Sequence, residues 1–407
     1  MVDKLALHGG APVRTAPWPT WPVWDSTEED ALLRVLRSGR WGCLMGDQVK
    51  AFGAAFATDC GVAHGIPVSS GTVALQLALQ AAGIQAGDEV ILPPYTFVAT
   101  ASAIVACNAV PVFADIDPET YCLDPVRAEA AITPKTRAII AVHLGGQMAD
   151  MDALHALCDQ HNLVLIEDAS HAHGSRDLQG RPAGSLGDLA CFSFQASKNL
   201  NSGEGGIVLT QSEKLATHVW ALANCGRVPE SWEGGPILGG NYRMTEWQGA
   251  ILNAQRTRWP EQLAHRNANG KYLTERLKSI SGISGLRDTG VNAYHLYGFR
   301  YEESVWGMSR SVFLEALRAE GMSIAPGYAS PLYDWPVFAQ KAFGPMNVSI
   351  AGYADAAVHR ANCPVNEDVA YKSGGWLPQS VLLAERADMD QIAEALEKLW
   401  ANRETLK

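Results

Sequence analysis

The chain has 407 residues, 47% of them hydrophobic and 18% charged, which suits an ordinary globular protein long enough for two domains, or for one large and one small. Its formal net charge of -11 and the lack of any Lys/Arg stripe argue against nucleic-acid binding, which needs a basic footprint. No apolar stretch approaches about 18 residues, and the opening Met1–Leu7 lacks a long apolar core, so neither a membrane span nor a signal peptide is expected.

The Pro17-Trp18-Pro19-Thr20-Trp21-Pro22 segment cannot be a regular helix, and residues 1–25 are expected to pack as an ordered arm. From residue 65 to 210, short apolar runs alternate with helical patterns. The candidate strands are Ile66–Ser69, Glu89–Leu92, Val110–Ala114, Ala138–His143, Leu163–Glu167, Ala190–Phe194 and Gly206–Thr210. Helix-length segments lie between several of them: Thr72–Ala82, Val98–Cys107, Pro125–Ala131 and Met151–Gln160. Continuous apolar strands alternating with helices predict a mostly parallel sheet covered on both faces. Ligands bind such sheets at the carboxyl ends of their strands.

Beyond Ser212 the pattern turns helical. Met244 to about Lys278 reads as one long helix broken near Pro260. A strand-like Tyr294–Arg300, a helix at Ser311–Glu320, a Pro-rich region at 325–346 and a terminal helix at Met389–Trp400 follow. This predicts a large domain over 26–255 and a smaller α/β domain over 256–407. The eight cysteines are scattered with no Cys-x-x-Cys pair, which fits a reducing, cytoplasmic setting and no zinc ribbon. His171 and His173 have no third histidine at zinc-ligand spacing, so no metal is expected.

Chemistry-bearing residues fall at the predicted strand ends. Ser69-Ser70-Gly71-Thr72 runs from strand to helix, where free N–H groups and the helix dipole favour an anion; an ordinary N-cap reads the same way. Ser193 offers a further hydroxyl at its own strand end. Phe97 follows the third exit, Pro93-Pro94-Tyr95-Thr96, within reach of a flat ring or of the core. Asp168 ends the run Leu163-Val164-Leu165-Ile166-Glu167, and Lys198 lies just past Phe192-Ser193-Phe194. Such a pair suits either a structural ion pair or a pyridoxal phosphate enzyme, in which the lysine carries the cofactor as a Schiff base and the aspartate keeps the pyridine nitrogen protonated.

Six segments break that tie. Ser70-Gly71-Thr72-x-Ala74-Leu75, Pro94-x-Thr96-Phe97, Glu167-Asp168-Ala169-x-His171-Ala172-His173-Gly174, Phe192-Ser193-Phe194-x-x-x-Lys198-Asn199, Gly203-Glu204-Gly205-Gly206 and Gly240-Asn241-Tyr242-Arg243-Met244-Thr245-Glu246 stand in this order. Together they resemble the DegT/DnrJ/EryC1/StrS family, sugar and cyclitol aminotransferases that use pyridoxal 5'-phosphate. The resemblance covers nearly the whole chain. It implies an α/β protein of fold type I, with a mostly parallel seven-stranded sheet in the large domain and a smaller C-terminal α/β domain.

The same resemblance implies that Lys198 forms the internal aldimine and shuttles the proton, and that Asp168 pairs with the pyridine nitrogen. Phe97 would stack on the ring, and His171 would lie near its phenolic oxygen, where the family more often has Gln. Gly71, Thr72 and Ser193 would hold the phosphate, joined by Asn241 from the second subunit of a homodimer. Family members with His in place of the lysine are dehydratases, so Lys198 implies amino transfer, with ping-pong kinetics.

The opening Leu5-Ala6-Leu7-His8-Gly9-Gly10-Ala11-Pro12-Val13-Arg14 looks most like the glutamine:scyllo-inosose aminotransferase branch, whose members make aminocyclitols for aminoglycoside antibiotics. That implies a glutamine or glutamate donor and a keto-cyclitol acceptor. Other readings are a nucleotide-linked keto-sugar acceptor, an activity like that of 3-amino-5-hydroxybenzoate synthases, suggested by Gly145–Asp152, and a non-catalytic cofactor-binding regulator. Trp41, His295, Tyr297 and Tyr328 are the candidate substrate contacts.

Overall fold

A computed structural model describes residues 3–228 and 235–406. Its main sheet has seven strands: β1 (His64–Val68), β2 (Glu89–Leu92), β3 (Val110–Phe113), β4 (Thr136–Val142), β5 (Val164–Asp168), β6 (Leu189–Ser193) and β7 (Gly206–Thr210), in the order β1-β7-β6-β5-β4-β2-β3. Only β7 runs against its neighbours; every other pairing in this sheet is parallel. The mostly parallel, seven-stranded α/β architecture expected from the sequence is the one observed.

Alternate residues of each strand face opposite sides, and both sides are dry. Ile140, Ile166, Cys191 and Val208 join a core with Leu75, Leu79 and Val219 from the helices Gly71–Ala81 and Glu213–Ala223. On the other side, Phe192, Ile207 and Leu209 pack with Phe52 and Phe56, while Ile139 and Leu165 pack with Leu154. Coverage on both faces explains why these strands read as continuous apolar runs rather than as alternating ones. The loops leaving β1, β2, β4, β5 and β6 therefore all emerge along one edge.

A second sheet of three antiparallel strands, ordered β10-β9-β8, consists of β8 (Ile283–Gly285), β9 (Leu296–Tyr301) and β10 (Gly374–Pro378). Helices Trp259–Leu277, Arg310–Ala319 and Arg386–Asn402 close its core through Leu273, Leu277, Phe313, Leu317, Ile392 and Leu396. Leu5 is buried in the same core, and Arg14 is paired with Asp388. Residues 332–363 instead supply Leu332, Tyr333, Phe338, Tyr353 and Cys363 to the large core beside Phe113.

Two local expectations are corrected. The stretch 244–278 is not one helix interrupted at Pro260 but two, Glu246–Gln255 and Trp259–Leu277, with Pro260 in the first turn of the second. A proline there loses no hydrogen bond, because first-turn N–H groups have no partner inside the helix. Strand β10 escaped sequence reading because Gly374-Gly375-Trp376-Leu377-Pro378 has neither alternation nor β-branched residues. No helix among the described residues is long and apolar enough to cross a membrane.

Candidate active site

The strand exits enclose a cleft of about 490 Å³, with Leu296, His295, Tyr328 and Trp376 closing it from the side of the second sheet. Its size is typical of small-molecule sites. Gly71, Thr72, Phe97, Asp168, His171, Ser193, Lys198, His295 and Tyr328, nine of the residues singled out in the sequence, line it together.

At one end Ser70 caps the helix Gly71–Ala81, its hydroxyl accepting from Val73 N–H at 3.2 Å. The helix therefore presents its first N–H groups and its positive dipole end to the cleft. A Cβ on Gly71 would lie 2.6 Å from Cβ of Ser193, so only glycine lets β6 and the helix start come this close. Thr72 and Ser193 line the cleft beside the same helix start.

Asp168 and Glu167 are adjacent acids on opposite faces of β5. Glu167 points away from the cleft into a dry pocket. There it accepts from the backbone N–H groups of Gly184, Leu186 and Gly187 at 2.7–2.8 Å and from His143 Nε2 at 2.9 Å. Ala149 N–H donates to His143 Nδ1, which places the single imidazole proton on Nε2. Burial alone would raise the Glu167 carboxyl; the His143 and backbone donors outweigh it and hold the group below its ordinary value. Glu167→Ala would strand four donors, and we expect a loss of about 3–5 kcal/mol in chemical denaturation.

Asp168 turns the other way. Its Oδ2 accepts from the Thr100 hydroxyl at 2.8 Å, and its Oδ1 from Ser170 N–H at 3.2 Å. Because Thr100 spends its one proton on Asp168, Thr96, 2.9 Å away, donates to Thr100. This relay fixes the carboxylate's orientation at the cleft wall.

Lys198 stands on the loop joining the antiparallel pair β6 and β7. Ala196 N–H bonds Gly203 O at 2.9 Å and Phe194 N–H bonds Gly205 O at 2.8 Å, cinching the loop. Trp21 of the N-terminal segment donates to Ala196 O at 3.0 Å. The Lys198 ammonium has no hydrogen-bond partner among the described residues. Burial lowers its pKa to about 8, against the pull of Asp168 in the other direction.

The His171 and His295 rings lie against each other at a tilt of 39°, with centroids 4.3 Å apart. Burial, and then the nearby Lys198 charge, push both well below the usual histidine range. Gly145 N–H donates to His171 Nδ1 at 3.2 Å, leaving the proton on Nε2. Asn199 gives its N–H to Ala293 O and so offers its oxygen to His295 Nδ1 at 3.2 Å. Each imidazole is thereby held neutral in one tautomer.

Phe97 is 54% exposed on the cleft rim, too open to be a core residue. Three expected site residues lie elsewhere. Tyr297 is buried in the second core with its hydroxyl 2.9 Å from Thr274 Oγ1, because on β9 its neighbour Leu296 takes the cleft-facing side; this corrects its assignment as a substrate contact. Trp41 packs against Trp247 outside the cleft, with centroids 5.7 Å apart. Asn241 is exposed and outside its own chain's cleft. Sequence reading missed Thr100, Glu204 and Trp376. Thr100 had a signal, since it follows Thr96 by one helical turn.

Residues 22–396 match the model of the DegT/DnrJ/EryC1/StrS aminotransferase family. The chain is 40% identical over 438 residues to an L-glutamine:2-deoxy-scyllo-inosose aminotransferase of Streptoalloteichus tenebrarius, covering 100% of both proteins. Its fold is similar to that of 3-amino-5-hydroxybenzoic acid synthase, with a TM-score of 0.86 at 32% identity, covering 96% of this chain and 100% of that one. It is also similar to DesI, solved in the presence of its TDP-sugar product, with a TM-score of 0.83 at 31% identity, covering 98% and 97%.

Proposed function

The chain belongs to the DegT/DnrJ/EryC1/StrS aminotransferase family, and from that premise we propose that it carries an amino group from glutamine or glutamate to a keto-cyclitol of the scyllo-inosose type, using pyridoxal 5'-phosphate. The observation that carries the reading is the placement of Lys198 and Asp168 in one cleft with the Gly71 anion cradle. The acceptor class rests on the 40% identity to the named cyclitol enzyme.

The side chains fit this cofactor. A helix start closed to any side chain suits a phosphate, a fixed carboxylate suits a protonated pyridine nitrogen, and a lysine with no ion-pair partner among the described residues suits attachment of an aldehyde. When bound, the cofactor supplies a pyridinium electron sink for the proton transfers of transamination. In this reading Asp168 holds the ring nitrogen's proton, with Thr100 and Ser170 fixing its angle. His171, donating from Nε2, and His295 border the reacting region. Lys198 Nζ would take the proton from the donor's α-carbon in the first half-reaction and give one to the acceptor's ring carbon in the second. The donor half precedes the acceptor half, giving ping-pong kinetics.

Asn241, exposed on its own chain, is proposed to serve the cleft of a second copy. The exposed apolar side chains Trp24, Trp41 and Met45, at 69%, 52% and 65%, support such a homodimer.

Two expectations arise here. Cofactor capture by the apo-protein needs neutral Lys198, whose pKa is about 8. The rate should therefore rise with pH, about tenfold from pH 7 to 9, and level off above. The sign for stability is the same. A lysine depressed from 10.5 to about 8 leaves the unfolded chain holding more protons between those values, so apo-protein stability rises with pH across that window. Second, Thr100→Val removes a hydrogen bond to a charged group, and kcat should fall about tenfold or more with the cofactor still bound.

The reading is tested by a donor–acceptor screen of scyllo-inosose, 2-deoxy-scyllo-inosose and nucleotide keto-sugars with mass detection. Amination of a keto-cyclitol with glutamine is expected. Amination of nucleotide keto-sugars alone would replace it with the second reading, which the likeness to DesI favours.

A further inference from the structure

One side of the cleft is aromatic and has no part in the chemistry above. Tyr328 and Trp376 line it edge to face, with centroids 5.0 Å apart. Behind them the buried Tyr95 ring meets Tyr328 edge-on at 5.4 Å and Trp376 at 6.3 Å. The backbone around these rings is tied down at several points. Trp376 and Ala325 exchange both backbone hydrogen bonds at 3.0 Å. Arg310 spends its guanidinium on backbone oxygens of Pro326, Val369, Ala370 and Gly374 at 2.7–3.1 Å, stapling the Tyr328 loop to β10. Gly327, at φ 83°, lies so near the Tyr95 hydroxyl that a Cβ would come within 2.1 Å of it. The two rings are thus set before any ligand arrives, which removes much of the ordering cost of binding.

Polar side chains also line the cleft, among them Lys198, His171, His295, Gln195, Ser197 and Glu204. Phe97 comes from the large domain, next to the strand exits assigned to the cofactor, whereas Tyr328 and Trp376 come from the far side of the cleft. We propose that Trp376, backed by Tyr328, is the platform on which the acceptor's ring lies and that it selects a compact polyhydroxylated six-membered carbocycle. Such a ring has C–H groups on its faces and hydroxyls around its rim. An indole wall buries the apolar face, and the polar side chains around it take the hydroxyls. The proposal rests on the aminotransferase reading above and deepens its acceptor side.

The test uses holoenzyme and two substitutions, Trp376→Ala and Trp376→Leu, the second keeping apolar bulk so that folding is preserved. scyllo-Inositol, which has no ketone and cannot react, is titrated by calorimetry. Each half-reaction is then followed separately in single turnover. Both variants are expected to bind the polyol about tenfold or more weakly, and to slow the acceptor half at least about five times more than the donor half. Trp376→Phe should restore most of the binding. Equal polyol affinity in wild type and Trp376→Leu, or equal loss in both half-reactions, would overturn the platform. If the wild type ignores cyclitols but aminates a nucleotide keto-sugar, the cyclitol acceptor is wrong. The same variants measured on that sugar would then show whether Trp376 still carries its ring.

Discussion

Lys198→Ala is expected to reduce transamination by more than about 10,000-fold, because one substitution removes both the attachment point and the proton carrier. The absorbance of lysine-bound cofactor should vanish with it. The loss should not come from unfolding. Lys198 makes no side-chain hydrogen bond among the described residues, and burial works against its charge, lowering its pKa to about 8. Removing a disfavoured charge from a cleft should leave thermal stability unchanged or slightly higher. Single-turnover assays on folded variant protein, with thermal denaturation alongside, would show it. Residual turnover above about one ten-thousandth of wild type would mean that another group moves the proton.

Asp168→Asn is the second large effect. Asparagine preserves the shape and removes the charge, although its single amide oxygen can accept from Thr100 or from Ser170 N–H but not from both. Without the carboxylate the ring nitrogen's proton is no longer favoured, and kcat should fall about 1,000-fold, the scale seen when a preorganised charge-stabilising group is removed from a site. A second readout separates this from misfolding. Asp168 is the group that raises the Lys198 pKa against burial, so its loss should shift the pH midpoint of cofactor capture below about 8. An unchanged midpoint would mean that the two groups are not electrostatically coupled.

The sheet and the Lys198 and Asp168 that share its cleft were legible in the sequence for one physical reason. Strands buried on both faces must be apolar throughout, so a charge ending such a run, as at Asp168 or shortly past it at Lys198, stands out. What was hidden depends on which way a side chain points. Glu167 and Asp168 look alike in the sequence, yet one is held by Gly184, Leu186, Gly187 and His143 inside the protein and the other faces the cleft. Tyr297 was placed at the site while its neighbours His295 and Leu296 are the ones that line it, a register question that period-two alternation cannot answer when both faces are apolar. Trp376 went unnoticed because its strand has two glycines before it and a proline after it, and becomes a sheet member only through pairing with β9. The contribution proposed for Asn241 depends on a second chain, so no reading of one chain's cleft could place it.

The central claim is that Lys198 is the residue that carries the cofactor, and the most direct measurement is chemical. Holoenzyme reduced with borohydride, digested and mapped by mass spectrometry should bear a single pyridoxyl phosphate adduct on the peptide containing Lys198, with no adduct in Lys198→Ala. An adduct on another lysine, or none on wild type reconstituted with pyridoxal 5'-phosphate, would contradict the account.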